Sequence, residues 1–385
     1  MRYDGGIPRR YQDFLGKFNP TLPAPPELRV DLRPDLARRI AARAILEKGS
    51  QQVIFGGVGS GKTTELLVAT EAISTEETQC VFLDMPLHSK LEFIQPGAIL
   101  TTFGEALSRT LGEGPDFSHA VGAANIFARG KWTLVQEIED WEPDYDEMVR
   151  VGGKLNPPVP ELHEDIKETK LWLADLVENA MSKQAGLVLA IDGLDRLHNE
   201  KSFWSLVDQD LRILRELKVS VVIVAPLLAY FTPGRNLEER FDKTHPLWSL
   251  PKNSPALLEV LQHRDQEILP ASSATEIVRY SGGVLRDLIS LARDAGEEAY
   301  LRGSPQIEGP HVDYAIQQLG LSYRRGLGPV QLKDLQEIYL GGGFDLRKVQ
   351  HRELLATRRL IEYSPQEFAI HPALLKELSS HDWPQ

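Results

Sequence analysis

The chain has 385 residues, 42% hydrophobic and 25% charged, with a formal net charge of −12 at pH 7. This length suffices for two or three domains with cores of their own, and no apolar run is long enough to cross a bilayer. The single Cys80 excludes an internal disulfide and a cysteine-built metal site, and the first residues lack a secretory apolar core, so a cytoplasmic protein is expected. The acidic balance disfavours a general nucleic-acid coat and leaves room for a local basic patch.

Residues 1–30 read as an N-terminal arm. Asn19–Pro26 is too proline-rich for a helix and predicts an extended tether. Tyr11, Phe14 and Phe18 either dock the arm on a neighbouring domain or belong to a loosely ordered tail. From about residue 31 to 253 the pattern alternates strands and helices. Asp35–Lys48 predicts a helix and Gln52–Phe55 a strand.

The strand feeds Gly56-Gly57-Val58-Gly59-Ser60-Gly61-Lys62-Thr63-Thr64, which has the spacing Gly-x-x-x-x-Gly-Lys-Thr, and a helix follows. That spacing between a buried strand and a helix predicts a phosphate-binding loop. Glycines let successive N–H groups curl inward towards a polyphosphate, and the helix adds its positive end. Residues 57–64 are therefore the candidate nucleotide-binding residues. Lys62 would reach the β- and γ-phosphates of ATP, and Thr63 would place its hydroxyl on Mg²⁺.

Gln79–Asp84 predicts a second strand. An insertion follows over about 86–165: a helix at Ile99–Leu111, a loop at Gly112–Gly130 and a helix at Trp132–Glu139. It ends in an acidic stretch from Glu137 to Glu147 that reads as a solvated surface. Gly152-Gly153-Lys154 lacks the flanking strand and helix of a second phosphate loop. His163–Lys183 has helical spacing of Ile166, Leu173, Leu176, Val177 and Ala180. Next comes Leu187-Val188-Leu189-Ala190-Ile191-Asp192-Gly193-Leu194-Asp195-Arg196. A continuous apolar run predicts a fully buried parallel strand, and an acid at its carboxyl end lies where such sheets bind ligands. Asp192 is the candidate Mg²⁺ residue with Thr63, and Asp195 the candidate to orient the attacking water. Phe203–Leu217 predicts a helix, Val219–Ala225 a third strand and Trp248–Leu250 a short fourth. The expected fold is α/β, a doubly wound parallel sheet.

From 254 to 325 four helices are expected: Pro255–Ile268, Ser272–Tyr280, Gly283–Leu301 and Pro310–Tyr323. Arg286, in Ser281-Gly282-Gly283-Val284-Leu285-Arg286, has the guanidinium fork that suits a γ-phosphate and is the candidate sensor. Its neighbour Asp287 points elsewhere on the helix, so any ion pair must cross to another element. Residues 326–385 predict short helices and then two strands around Ser364-Pro365, the pattern of a winged helix. Eight Lys/Arg against four Asp/Glu between Arg324 and Leu360 make duplex DNA a candidate partner, through Arg352, Arg358 and Arg359; protein docking or autoinhibition is the alternative.

The order of these motifs resembles the AAA+ ATPases of the origin-recognition type and the related STAND signal-transduction ATPases, over about residues 30–380. The resemblance rests on Gly56–Thr63, on Ile191-Asp192-Gly193-Leu194-Asp195, on the Ser-Gly-Gly-x-x-Arg run ending at Arg286, and on Leu354-Leu355 through His371-Pro372. It implies an ATP- and Mg²⁺-dependent switch whose helical lid and winged helix rearrange with nucleotide state. It implies hydrolysis that uses Lys62, Asp192, Asp195 and Arg286. Self-association or a separate effector protein is the implied partner, and no membrane is expected. An arginine finger acting on a neighbouring copy is also implied, with Arg235 and Arg240 as candidates. There are departures. Gly193 stands where AAA+ proteins place a glutamate, Arg196 follows Asp195, and Val224-Ala225-Pro226 replaces a polar first sensor. These imply slow turnover rather than loss of nucleotide binding. The alternative is a DNA-binding ATPase that uses the winged helix on duplex DNA.

Overall fold

A computed structural model describes residues 6–89, 91–111, 162–197 and 200–380. The expected loop at Gly112–Gly130, the Trp132–Glu139 helix, the acidic stretch to Glu147 and Gly152-Gly153-Lys154 lie outside those residues. The chain divides into two units. One comprises Asp35–Phe55 and Glu65–His245; the other comprises Met1–Pro34, Gly56–Thr64 and Pro246–Gln385.

The first unit is built on a five-stranded sheet. Its strands are β1 (Gln51–Gly56), β2 (Thr78–Asp84), β3 (Gly186–Asp192), β4 (Ser220–Pro226) and β5 (Lys243–Leu247), in the order β2-β3-β4-β1-β5. β2 pairs in parallel with β3 from Thr78 opposite Gly186 to Asp84 opposite Asp192. β3 pairs in parallel with β4 from Val188 opposite Ser220 to Ile191 opposite Ile223. Helices surround the sheet, giving the expected α/β arrangement. β3 and β4 are buried along almost their whole length, which is why they read as unbroken apolar runs rather than alternating ones. β4 separates the strand that ends in Asp192 from the strand that feeds the glycine loop.

Two elements depart from expectation. The last strand is Lys243–Leu247, not Trp248–Leu250. Lys243-Thr244-His245-Pro246 carries no strand signature, but β5 lies at the sheet edge, where a proline without an N–H is tolerated. The helix expected over Phe203–Leu217 begins at Glu200 and is broken by a π stretch at Val207–Leu211 before resuming at Arg212–Glu216. The π stretch re-aims Asp210. Fully buried, Asp210 accepts hydrogen bonds from Gly97 N (2.7 Å) and Ile99 N (3.0 Å). These are orphan donors at the start of the Ala98–Leu111 helix, so Asp210 closes that end from a distant element.

The second unit contains helices at Pro255–Arg264, Ala271–Tyr280, Leu285–Leu301 and Gly309–Arg324, close to the four expected. Their core includes Tyr11, Phe14 and Phe18, all at most 2% exposed. The arm docks rather than trailing, and its first part is a helix, Gly6–Lys17. The spacing 11, 14, 18 was the available signal, since these positions share one helical face. A helix of twelve residues with this composition depends on packing rather than propensity. Arg293 Nη1 donates to the Leu15 carbonyl (3.1 Å), and Tyr11 Oη donates to Ser304 O (2.9 Å). The chain continues through helices Pro329–Tyr339 and Val349–Ala356. An antiparallel pair follows, β6 (Leu360–Ser364) and β7 (Glu367–Ile370), then a last helix, Pro372–Ser379. No described helix is long and apolar enough to cross a membrane.

Candidate nucleotide site

The glycine loop links β1 to a helix that begins at Lys62. Ser60 N donates to Gly57 O (3.2 Å), closing a tight turn, and Gly59 has φ +85°. At Gly59 a side chain is excluded twice over. The backbone is left-handed, and a Cβ would stand 2.7 Å from the Cβ of Arg286. Lys62 is 4% exposed, and its Nζ donates to Gly56 O (3.0 Å) and Gly57 O (2.8 Å). Thr63 and Thr64 follow in the first turn of the helix, where unpaired N–H groups and the helix dipole favour an anion. Residues 57–64 thus form a tight turn that runs directly into a helix.

Arg286 lies on this loop. It is exposed, in the first turn of the Leu285–Leu301 helix, and its backbone N donates to Gly59 O (3.3 Å). Two further residues near the loop escaped the sequence reading. Arg33 Nη1 stands 3.9 Å from the Cβ position of Gly61, and its Nη2 donates to Trp248 O (3.1 Å). A lone arginine before Pro34 carries no local signal of such a role. Glu362, in β6, is 3% exposed, and its Oε1 lies 2.1 Å from where a Cβ on Gly57 would be. That oxygen has no hydrogen-bond partner among the described residues. Burial pushes the Glu362 carboxyl above its usual range, against the opposing pull of backbone N–H groups at Glu362 and Gly57 and of the Lys62 charge. The alternation of β6 was legible in sequence; that one of its inward positions carries a carboxylate towards the loop was not.

This placement has a measurable consequence. A carboxyl whose pKa is raised on folding favours the folded state below its unfolded value of about 4.3, and that contribution is lost as pH rises through the folded value. Glu362→Gln is therefore expected to raise Tm at pH 8 by about 2–6 °C, from a buried carboxylate with one unpartnered oxygen worth about 1–3 kcal/mol. Below pH 4 the gain should vanish. A melting series over pH that showed no difference, or a loss at pH 8, would contradict the assignment.

The acidic residues belong to the other unit. Asp192 ends β3 and is 4% exposed; Asp195 lies in the single turn Leu194–Arg196 that follows. Gly193 between them has φ +86°, and a Cβ there would meet Pro86 Cδ at 2.2 Å and Asp84 Oδ1 at 2.9 Å. The packing of this turn thus leaves no room for a side chain after Asp192. Arg235 and Arg240 are engaged in their own unit. Arg235 Nη1 donates to Asp208 (2.7 Å) and its guanidinium covers Trp204, while Arg240 Nη2 donates to Val207 O (2.6 Å). Glu139 and Asp140, further acids of the insertion, lie outside the described residues.

The donor chemistry fits Mg²⁺. That ion takes hard oxygen ligands, usually one or two carboxylates and hydroxyls with waters and substrate phosphates completing the shell. Asp192 and Thr63 are donors of this kind, and no group of three or more His, Cys, Asp or Glu suited to a metal occurs among the described residues.

No protein-family model and no curated protein matches the chain. Among solved structures, it is similar to the ORC2 protein of Aeropyrum pernix in ADPNP–ADP complexes. Identity is 15%, 94% of this chain and 96% of that chain are covered, and the TM-score is 0.49. It is also similar to the ORC1 protein of Aeropyrum pernix in complex with DNA (16% identity, 97% of each chain, TM-score 0.43). A third is the RuvB Holliday junction branch migration motor of Thermotoga maritima (15% identity, 92% of this chain, 98% of that chain, TM-score 0.42).

Proposed function

We propose that the chain is an ATP-binding, slowly hydrolysing switch of the AAA+ kind. The observation that carries this reading is the company kept by the glycine loop. The backbone of Arg286 bonds to Gly59, and the buried carboxylate of Glu362 lies against Gly57. A triphosphate cradled by the loop N–H groups would bring negative charge to Glu362 and offer the Arg286 guanidinium a γ-phosphate. ADP would do neither to the same degree. Only contacts that differ between two ligands can shift a conformational equilibrium, and these two differ.

The roles follow from the chemistry of each side chain. Lys62 donates to the β- and γ-phosphates. We assign the metal to Thr63 and Asp192; Mg²⁺ neutralises phosphate charge in such reactions. Asp195 is the water-orienting residue that the motif suggests. In hydrolysis a water oxygen bonds to the γ-phosphorus and the bond to the β–γ bridging oxygen breaks. ADP and inorganic phosphate leave, and the surplus proton goes to solvent. Gly193 in place of glutamate is consistent with slow turnover. The four helices from Pro255 to Arg324 form the lid in this reading. The segment after it forms a winged helix that docks on the loop through Glu362. Self-association, or binding to a separate effector, is the proposed output.

Duplex DNA is the less supported output. Arg358 Nη1 is bonded to the buried Asp287, and Arg359 donates to the carbonyls of Tyr323 and Arg325, so two of the three proposed contacts serve internal packing. Light scattering and sedimentation with ATP·Mg²⁺ and with ADP·Mg²⁺ test the switch. The expected result is a different mass or hydrodynamic radius in the two states. Identical values at saturating nucleotide would end the proposal.

A further inference from the structure

From the packing around Gly57, we infer that Glu362 takes up a proton when a nucleoside triphosphate fills the glycine loop, so that ionised Glu362 opposes binding and affinity falls as pH rises. This rests on the nucleotide-binding reading above and adds a regulation to that same site. Every group involved, from Gly57 and Lys62 to Ser249, Gly282 and β6, belongs to one of the two units. Glu362 is 3% exposed, and its Oε1 has no hydrogen-bond partner among the described residues. That oxygen stands 2.1 Å from where a Cβ on Gly57 would be, so it points at the start of the loop. A buried carboxylate is tolerated when opposite charge and donors compensate it. Here the compensation is thin. The Lys62 ammonium supplies the positive charge, and the Gly57 N–H and the Ser249 hydroxyl supply donors. Tyr363, next in β6, is a neutral phenol whose pKa burial pushes up to about 12. The residue opposite on β7 is Phe368, and the Trp248–Leu250 segment carries no titratable side chain.

A bound triphosphate acts on this balance twice. Its phosphates add negative charge at the loop, and they draw the Lys62 donors away from the carbonyls of Gly56 and Gly57. The ammonium then neutralises phosphate rather than Glu362. Both changes disfavour the ionised carboxyl. Retreat of the side chain is obstructed by its own backbone. Ser249 N donates to Glu362 O (3.1 Å), and Tyr363 Oη donates to Gly282 O (2.8 Å), which ties β6 to the turn before Arg286. A proton from solvent therefore ends on a Glu362 carboxyl oxygen, and no covalent bond of the nucleotide changes. The sign follows from linkage. The carboxyl has a higher pKa in the bound state than in the free state. Binding takes up protons between those two values, and affinity declines as pH rises through that window. A diphosphate brings less charge to the loop and should take up fewer protons.

Titration calorimetry of the full chain counts the protons. The ligand is a non-hydrolysable ATP analogue with saturating Mg²⁺, which keeps its phosphates ionised, in buffers of low and high ionisation enthalpy at about pH 7.5. The parent should take up about 0.3–1 proton per nucleotide. Its Kd should weaken about 3- to 10-fold from about pH 7 to about pH 9, since one unit of pKa shift is tenfold in affinity. Glu362→Gln should take up no proton, keep its Kd within about twofold over that range, and bind about 3- to 10-fold tighter than the parent at about pH 9. Glu362→Met, which also lacks a titrating group, carries the same expectations if the amide variant does not fold. Proton uptake that persists in these variants overturns the inference, as does a parent that binds the analogue without uptake; both leave nucleotide binding intact. Weaker binding by both variants at every pH also overturns it, because it marks Glu362 as a structural residue. A parent that does not bind the analogue at any pH defeats the ATPase reading itself.

Discussion

Replacing Lys62 by alanine is expected to weaken ATP·Mg²⁺ binding by about 10²–10⁴-fold, measured by titration calorimetry. The side chain is 4% exposed, with its ammonium on the carbonyls of Gly56 and Gly57. A buried ammonium is tolerated only with its donors matched, and amide carbonyls are weaker acceptors than phosphate oxygens. A polyphosphate at the loop would take over those donors. Two charge-assisted hydrogen bonds at about 1.5–3 kcal/mol each set the stated range. Whether the two freed carbonyls cost stability is read in the same variant. Melting without nucleotide checks this. An affinity within about threefold of the parent would mean that the loop is a structural turn.

Replacing Asp287 by alanine should lower stability by about 3–5 kcal/mol, and hence Tm by about 6–20 °C. Asp287 is 2% exposed and follows Arg286 in the Leu285–Leu301 helix. It accepts from Arg358 Nη1 (2.6 Å) and from the Tyr323 hydroxyl (2.6 Å), and it pairs with His371 Nε2 (3.2 Å). Burial alone would raise its pKa. Hydrogen bonds from His371 and Tyr323 and the charge of Arg358 outweigh burial and hold the carboxyl below its usual range. The sign is that of a depressed carboxylate: stability is present above the unfolded value of about 3.9 and fades as pH falls through the lower folded value.

Removing Asp287 strands a mostly buried guanidinium and an interior hydroxyl, which is why the loss exceeds the worth of a surface pair. Arg358 also holds φ +60° at the end of its helix, where Arg358 N donates to Leu355 O and Arg359 N to Leu354 O. Glycine usually takes that place in such a cap. An arginine kept there, with its head on Asp287, marks a contact that the backbone is bent to make. The cluster joins the first turn of the Leu285–Leu301 helix, the Gly309–Arg324 helix and the C-terminal hairpin. Urea unfolding that shows Asp287→Ala within about 1 kcal/mol of the parent would refute the account.

The parts of this protein that could be read without a structure are those whose physics is local. The glycine loop is written in eight consecutive residues. β3 announces its burial by an unbroken apolar run, and the helices from Pro255 to Arg324 have their period in plain view. A strand, a turn and a helix follow from neighbours within a few positions, because backbone sterics and burial periodicity act over that range. The helix start that carries Arg286 is likewise marked by a short local motif, Ser281-Gly282-Gly283.

What the chain order conceals is which distant groups meet. The arm helix was hidden because its twelve residues are helical only when Tyr11, Phe14 and Phe18 enter the core of a helical layer about 250 residues later. β5 has no strand signature and exists as an edge strand of the sheet. Glu362 reads as one polar residue of an alternating strand until the folded chain presses it on Gly57, and Asp84 as a common strand-end acid until β3 is laid beside β2. Local propensity selects the elements, whereas burial and charge pairing between elements select the partners. The glycine loop and the apolar strand that ends in Asp192 were therefore legible in the chain; the carboxylate of Glu362 beside Gly57 was placed by tertiary packing alone.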